Sequence, residues 1–156
     1  MIKLEIPRFG QLEVEHLVLD YNGTLALDGK LLAGVKERLI KLAEMTQIHV
    51  ITADTFGEAT SQLQDIPCRL HILEKNNEDL KKEKYIKALG SDKVVALGNG
   101  NNDRRMLKTA TLGIAVIGSE GCAIKSIQTA DIVVADVNHG LDLLLNPLRC
   151  KATLRY

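Results

Sequence analysis

The stretch His16-Leu17-Val18-Leu19-Asp20-Tyr21-Asn22-Gly23-Thr24 passes from a short apolar run straight into an acid, an Asn-Gly turn and a hydroxyl. A continuous apolar run closed by a turn signal reads as a buried strand. In an open parallel sheet the ligand crevice lies just beyond the carboxyl ends of the strands, so Asp20 is placed at that edge. The chain then repeats the pattern. Ile48-His49-Val50-Ile51-Thr52 is a β-branched run ending in Thr52-Ala53-Asp54-Thr55, and Cys68 to Leu73 is a further strand. Val94-Val95-Ala96-Leu97 ends in the polar loop Gly98-Asn99-Gly100-Asn101-Asn102-Asp103.

Helical periodicity separates these runs. Apolar residues at 32, 35, 39, 42 and 43 predict an amphipathic helix over 32–43. A helix over 56–63 takes Asp54 or Thr55 as its N-cap, and a charged helix over 77–89 stops at Gly90. Helix 103–109, strand 112–117, helix 120–127, strand 131–134 and helix 141–145 follow. Strands alternating with helices predict an α/β fold with three layers, a doubly wound, Rossmann-like parallel sheet covered on both faces.

Ahead of this core, Ile2 to Ile6 and Gln11 to Glu15 alternate at period two around Pro7-Arg8-Phe9-Gly10. They predict an N-terminal β-hairpin over residues 1–15, read as a ribbon covering the sheet rather than an interaction arm. The core is expected over 16–146, and the basic tail 147–156 is expected to be a solvated terminus. The whole chain, 156 residues with 46% hydrophobic and 26% charged, reads as one domain.

A formal charge of zero and a pI near 6.9 give no electrostatic reason to expect nucleic acid or an anionic membrane as partner. The apolar runs are too short to span a bilayer, and residues 1–5 do not read as a targeting segment. Three scattered cysteines, Cys68, Cys122 and Cys150, indicate neither a disulfide framework nor a zinc site and suit a reducing cytoplasm. The four histidines, 16, 49, 71 and 139, show no metal-ligand spacing. No GxGxxG opens the first helix, so dinucleotide binding is not indicated.

Three strand ends carry distinct polar loops, and a lysine-rich helix precedes the last. The combination suits phosphoryl chemistry, which needs an in-line nucleophile, donors for the equatorial oxygens and cations for the charge. Asp20 can supply a carboxylate nucleophile. The Asn22-Gly23-Thr24 turn offers backbone N–H groups as an anion nest, Thr52 a hydroxyl, and a lysine among Lys81, Lys82 and Lys84 a positive charge. Asp20 and Asp103, with Asn99, are candidate oxygen ligands for Mg2+.

With these residues in order, Asp20 to Thr24, Thr52 to Asp54 and Gly98 to Asp103, the chain resembles the haloacid dehalogenase superfamily of phosphotransferases. It resembles most the phosphorylation domain of P-type ATPases, whose motifs read D-K-T-G-T, T-G-D and G-D-G-x-N-D. The resemblance covers about 17–145. It implies that Asp20 is the phosphorylated nucleophile, that Thr52 and Ala53 belong to the phosphate site, and that Asp103 belongs to the Mg2+ site. The backbone carbonyl of Asn22 becomes a further Mg2+ ligand. Among the lysines, Lys82 with Tyr85, Ile86 and Leu89 matches the family's spacing best.

The sequence departs from its relatives at two points. Phosphatases of the superfamily read D-x-D, and Asn22 cannot serve as general acid or base, a role worth roughly 10²- to 10⁴-fold. Slow monoester turnover, with a preference for activated donors such as ATP, is therefore expected. Asn99 removes a negative charge from the metal site, so weak Mg2+ binding is expected. Neither insertion point, 25–51 or 53–80, has room for a cap, which leaves the site open unless a homo-oligomer closes it. Expected substrates are a phosphorylated small molecule, a nucleotide or a phosphoprotein. A catalytically silent binding or regulatory subunit, and a capless oligomeric metabolite phosphatase, are the competing readings.

Overall fold

The computed structural model describes residues 1–53 and 57–156. Its first two strands, β1 (Ile2–Ile6) and β2 (Gly10–Val14), pair antiparallel with Ile2 opposite Val14. β3 (His16–Asp20) follows. After it comes a small antiparallel ribbon, β4 (Ala26–Leu27) and β5 (Lys30–Leu31). Helix α1 (Val35–Ala43), strand β6 (Gln47–Thr52), helix α2 (Glu58–Gln62) and strand β7 (Cys68–Ile72) complete the first half. The second half runs α3 (Glu78–Leu89), β8 (Val94–Gly98), α4 (Arg104–Thr109), β9 (Leu112–Val116), α5 (Ile124–Thr129), β10 (Ile132–Val134), α6 (Val137–Leu145) and α7 (Pro147–Leu154).

Six strands form one parallel sheet in the order β10-β9-β8-β3-β6-β7. The chain winds outward from β3 to β6 and β7, then crosses back to β8 on the other flank. β3 therefore lies where the winding reverses, the position at which doubly wound sheets open a crevice. Register places Asp20 beside Ile51 and Leu19 beside Leu97, which brings three polar strand ends to one edge.

Alternation along β3 separates two cores. Leu17 and Leu19 pack with Leu39, Leu97, Ile114 and Leu141 on one face, while Val18 joins Ile51, Ile86, Ala96 and Met106 on the other. Helices α1 and α6 are clamped by a two-pronged ion pair, Arg38 Nε to Asp142 Oδ1 at 2.8 Å and Nη2 to Oδ2 at 3.0 Å.

Several sequence-based boundaries shift, each for a local reason. The helix expected from 32 begins at Val35, because the Leu32 N–H is committed to the Leu25 carbonyl at 2.9 Å and keeps the chain on the β4–β5 ribbon. The helix expected over 120–127 spans Ile124–Thr129, since the Ala123 N–H donates to the Asn99 carbonyl at 2.8 Å and holds the preceding loop against the site. The last core helix starts earlier, at Val137, where the Asp136 carboxylate accepts from the Asn138 N–H at 2.7 Å. The proposed N-caps Asp54 and Thr55 lie outside the described residues.

The tail is a correction of substance. It is not solvated chain: Pro147 opens α7, and Cys150 is buried among Ile2, Leu12 and Leu144. The hairpin, for its part, pairs with no edge of the main sheet among the described residues. It is tied below β3 through Glu15, whose N–H donates to the Lys93 carbonyl and whose carbonyl accepts from Gln47.

Candidate active site

The site starts with an ammonium group placed where burial alone would forbid it. On α3, Lys82 shares a face with Tyr85, Ile86 and Leu89, and that face meets the sheet. Its side chain is 2% exposed, in place of the solvated lysine that a charged helix suggests. The ammonium donates to Asp20 Oδ1 at 2.8 Å and to Asp103 Oδ1 at 2.6 Å. Burial opposes the charge, but the two carboxylates outweigh it and hold Lys82 above the usual lysine range. Of the other candidates, Lys81 donates to the Glu74 carbonyl at 2.9 Å near the surface, and Lys84 is exposed.

Asp20 feels the opposite balance. Burial first, then the charge of Asp103, pushes its carboxyl up to about 6, although Lys82 and the Thr24 hydroxyl favour the ionised form. The Thr24 hydroxyl donates to Asp20 Oδ2 at 3.1 Å and lies 3.3 Å from Asn99 Oδ1. Asp103 is engaged at both oxygens: Oδ1 takes Lys82, and Oδ2 accepts the N–H groups of Asn99 at 3.0 Å and Gly100 at 2.9 Å. This turn needs a glycine before it, because a Cβ at Gly98 would stand 2.5 Å from the Asp103 carboxylate carbon.

The resulting cleft, about 390 Å³, is lined by Asp20, Asn22, Thr52, Ala53, Lys82 and Asn99, with Lys75 and Glu78 at its rim. Of the other predicted phosphate and metal residues, Asp103 lies beneath the cleft, fully buried, and Gly23 and Thr24 line the neighbouring hollow on the β9 side. The N–H nest expected of this turn is not free for an anion: the Gly23 N–H donates to the Ala26 carbonyl at 2.9 Å and the Thr24 N–H to the Tyr21 carbonyl at 3.2 Å, which closes the turn on itself. Gly23 has φ of 78° and a bare face toward Asn99 and Glu120.

Among the described residues, no three His, Cys, Asp or Glu side chains converge on a point that could hold a metal. A cation here must therefore draw on amide and carbonyl oxygens beside Asp20. Oxygen donors with one or two carboxylates suit Mg2+, which keeps several waters, and Asp20, Asn99 Oδ1 and the Asn22 carbonyl are of that chemical kind. The donor set fits a hard divalent cation at reduced charge.

Two clusters carried no spacing signal in the sequence. Glu120, exposed on the loop after β9, lines the neighbouring hollow and faces the bare side of Gly23. The second is a histidine chain beneath α3: His16 Nδ1 lies 3.1 Å from His49 Nε2, His49 Nδ1 lies 2.7 Å from the Tyr85 hydroxyl, and that hydroxyl also meets His71 Nε2. These three histidines sit on different strands, so only the sheet's register brings them together.

A family model described as haloacid dehalogenase-like hydrolase matches residues 69–140. The chain belongs to this family. Two uncharacterized proteins of Methanocaldococcus jannaschii are similar to it, one 56% identical over 78 residues, half of this chain and 78% of that protein. The other is 54% identical over 39 residues, covering 25% of this chain and 89% of that protein. Among solved haloacid dehalogenase folds, the cobalt-bound deoxy-D-mannose-octulosonate 8-phosphate phosphatase of Haemophilus influenzae superposes with a TM-score of 0.72 at 13% identity, covering 92% of this chain and 94% of that one. A 3-deoxy-D-manno-octulosonate 8-phosphate phosphatase of Moraxella catarrhalis, in complex with magnesium, phosphate and KDO, gives 0.66 at 15%, covering 85% and 86%. These two likenesses concern the haloacid dehalogenase fold.

Proposed function

We propose that this chain is a divalent-cation-dependent phosphohydrolase or phosphotransferase that forms an aspartyl-phosphate at Asp20. The observation that carries this reading is the buried Asp20–Lys82–Asp103 cluster at the floor of the cleft. An Asp20 oxygen attacks phosphorus, a P–O bond forms, and the bond to the leaving oxygen breaks. Lys82 holds positive charge beside the nucleophile and the phosphoryl oxygens, and Asp103 keeps Lys82 in place. Thr52 and Ala53 line the cleft beside the transferring group as donors. A bound Mg2+ would neutralise charge on the phosphoryl oxygens. Asp20, the Asn22 carbonyl and Asn99 would be its direct donors in this proposal, while Asp103, fully buried beneath the cleft with Oδ2 already accepting two backbone N–H groups, contributes through charge at short range. The phosphatase structures that share the fold hold cobalt or magnesium, which supports a divalent cation. Water then attacks phospho-Asp20, restores the carboxylate and releases phosphate.

With Asn22 in place of an acid, neither the leaving group nor that water receives a proton-transfer partner at this position. The site therefore favours donors whose leaving group departs unprotonated, such as ATP or acetyl phosphate, as in the P-type ATPase phosphorylation domain it resembles. A phosphorylated small molecule fits the open cleft. The test is incubation with Mg2+ and acetyl phosphate, ATP or para-nitrophenyl phosphate, followed by intact-mass and peptide analysis. An adduct on Asp20, absent in Asp20→Asn, is expected. No adduct and no turnover with any donor overturns the reading.

Asn22 and Asn99 together favour one second reading, a silent binding subunit that keeps the fold. If the native chain is inert while Asn22→Asp/Asn99→Asp turns over para-nitrophenyl phosphate, that reading replaces the first. Under the first reading, Asn22→Asp alone raises an already measurable turnover, by up to about 10² to 10⁴-fold.

A further inference from the structure

The cleft of about 390 Å³ lies within the roughly 300–1,000 Å³ of small-molecule sites, so it has room for more than a transferring phosphoryl group. Of its lining, Leu73, Lys75, Glu78, Gly100 and Asn102 have no part in the proposed transfer at Asp20. They belong to the turn between β7 and α3, the first turn of α3 and the loop after β8. These residues are left to meet the rest of the donor, the part that leaves.

Their charges are not equally engaged. Glu78 stands in the first turn of α3, where the positive end of the helix favours an acid, and its Oε2 accepts from Asn102 Nδ2 at 3.0 Å. Lys75 is exposed, and among the described residues no ion pair takes up its ammonium. Both ends of its turn are nevertheless fixed. The Leu73 N–H donates to the Thr52 carbonyl at 2.8 Å, and the Asn77 carbonyl accepts the Lys81 N–H at 3.0 Å, at the start of the helix that carries Lys82. Lys81 Nζ donates to the Glu74 carbonyl at 2.9 Å. Asn76 and Asn77 take left-handed backbone, with φ of 77° and 53°, a conformation uncommon outside glycine that asparagine tolerates well. A turn bent in this way between Thr52 and the Lys82 helix keeps Lys75 in the wall of the cleft.

We propose that Lys75 is a specificity-determining residue that binds a second anionic group of the donor, a phosphate or a carboxylate carried on its leaving portion. Lysine recognises such groups as a point charge. The inference rests on the phosphoryl-transfer reading of Asp20 given above and narrows its donor class. Nucleoside polyphosphates, pyrophosphate and carboxylate-bearing phosphates are favoured over acetyl phosphate, whose leaving group carries no charge of its own until the P–O bond breaks.

The experiment follows the adduct on Asp20 by intact mass in the full chain with Mg2+, over a range of concentrations of ATP, inorganic pyrophosphate, phosphoenolpyruvate and acetyl phosphate. Native chain, Lys75→Gln and Lys75→Arg are compared, with Lys41→Gln, an exposed lysine on α1 outside the cleft, as the control for net charge. Lys75→Gln is expected to raise the half-saturating concentration of a doubly anionic donor about five- to tenfold, as for a charge-assisted contact discounted for exposure. The limiting rate is expected to stay the same, because the contact is made equally before and during transfer. Acetyl phosphate is expected to shift less than about twofold, and Lys75→Arg to stay near native. A rise with ATP and pyrophosphate identifies the second group as a phosphate, and a rise with phosphoenolpyruvate alone identifies it as a carboxylate; either upholds the proposal. No rise with any of these three, an equal rise with acetyl phosphate, or an equal rise in Lys41→Gln overturns it while phosphorylation of Asp20 stands. No adduct on the native chain from any donor overturns the reading of Asp20 and the proposal with it.

Discussion

At the scale of single residues, the proposed chemistry turns on Lys82 and on two amides. A buried lysine between two buried carboxylates leaves net negative charge in a site with little water, and each member depends on the others. Removing one partner of a buried ion pair strands the remaining charge, at a cost of about 3–5 kcal/mol. Lys82→Met is expected to lower stability by that order and to abolish phosphorylation of Asp20, read by urea unfolding and intact mass. Asp103→Asn tests the same cluster from below: the amide can still accept from Lys82 or from the Gly100 N–H, so a smaller loss is expected. Equal stability of Lys82→Met and the native chain would sink this account. Asp20, Thr52 and Asp103 were readable as site residues because each ends a strand or opens a turn with an unusual side chain. The place of Glu120 was not readable, since an acid in a Gly-Ser-Glu-Gly loop looks like any surface turn until the fold sets it against the bare face of Gly23.

At the scale of elements, α3 carries Lys82 and its position is fixed on two sides. Asp79 and Glu83 pair with Arg104 and Arg105 of α4, and Tyr85 hydrogen-bonds His49 and His71 in the sheet. His49 is fully buried, and burial, then the charges of His16, Arg69 and His71, lower it to about 4 from 6.5. His16 and His71 are lowered as well, burial being the main cause. A histidine whose folded pKa is depressed binds protons more readily in the unfolded chain. Its contribution is complete above about 6.5 and is lost as pH falls toward 4. For His49 the gap corresponds to an upper limit of about 3–4 kcal/mol. Urea midpoints should fall between pH 7 and pH 4.5, and His49→Gln should flatten that fall; an unchanged slope would count against the buried neutral cluster. Tyr85→Phe removes a shared partner of two imidazoles and is expected to cost about 1–3 kcal/mol, with a lower rate of Asp20 phosphorylation because Lys82 lies one turn away on the same helix.

At the scale of the whole molecule, the two ends of the chain form a base under the sheet while the site opens at the opposite edge. Ile2, Leu12, Leu144 and Cys150 are buried together, and burial pushes the Cys150 thiol up to about 11, so this cysteine is a packing residue. Deleting residues 147–156 is expected to destabilise the chain by several kcal/mol, since it uncovers large apolar side chains of the hairpin, each worth about 1.5–3 kcal/mol. Thermal unfolding reads the loss; a truncated chain as stable as the native one would show α7 to be dispensable. No helix among the described residues is long and apolar enough to cross a membrane.

The sequence by itself determined the order of strands and helices, the α/β class and the three polar strand ends, because period-two and period-3.6 patterning and turn residues are local properties. It also singled out Asn22 and Asn99 as missing acids, which needs only the motif and its neighbours. Tertiary structure decided what depends on contact between distant segments. It buried Lys82, the lysine that the family's spacing matches best, between Asp20 and Asp103 and left Lys81 and Lys84 toward the surface, and it turned the tail into a helix by giving Cys150 a hairpin to cover. It gathered three histidines that spacing had kept apart, and it brought Glu120 from the loop after β9 to the bare face of Gly23, where parallel strands end within reach of one another.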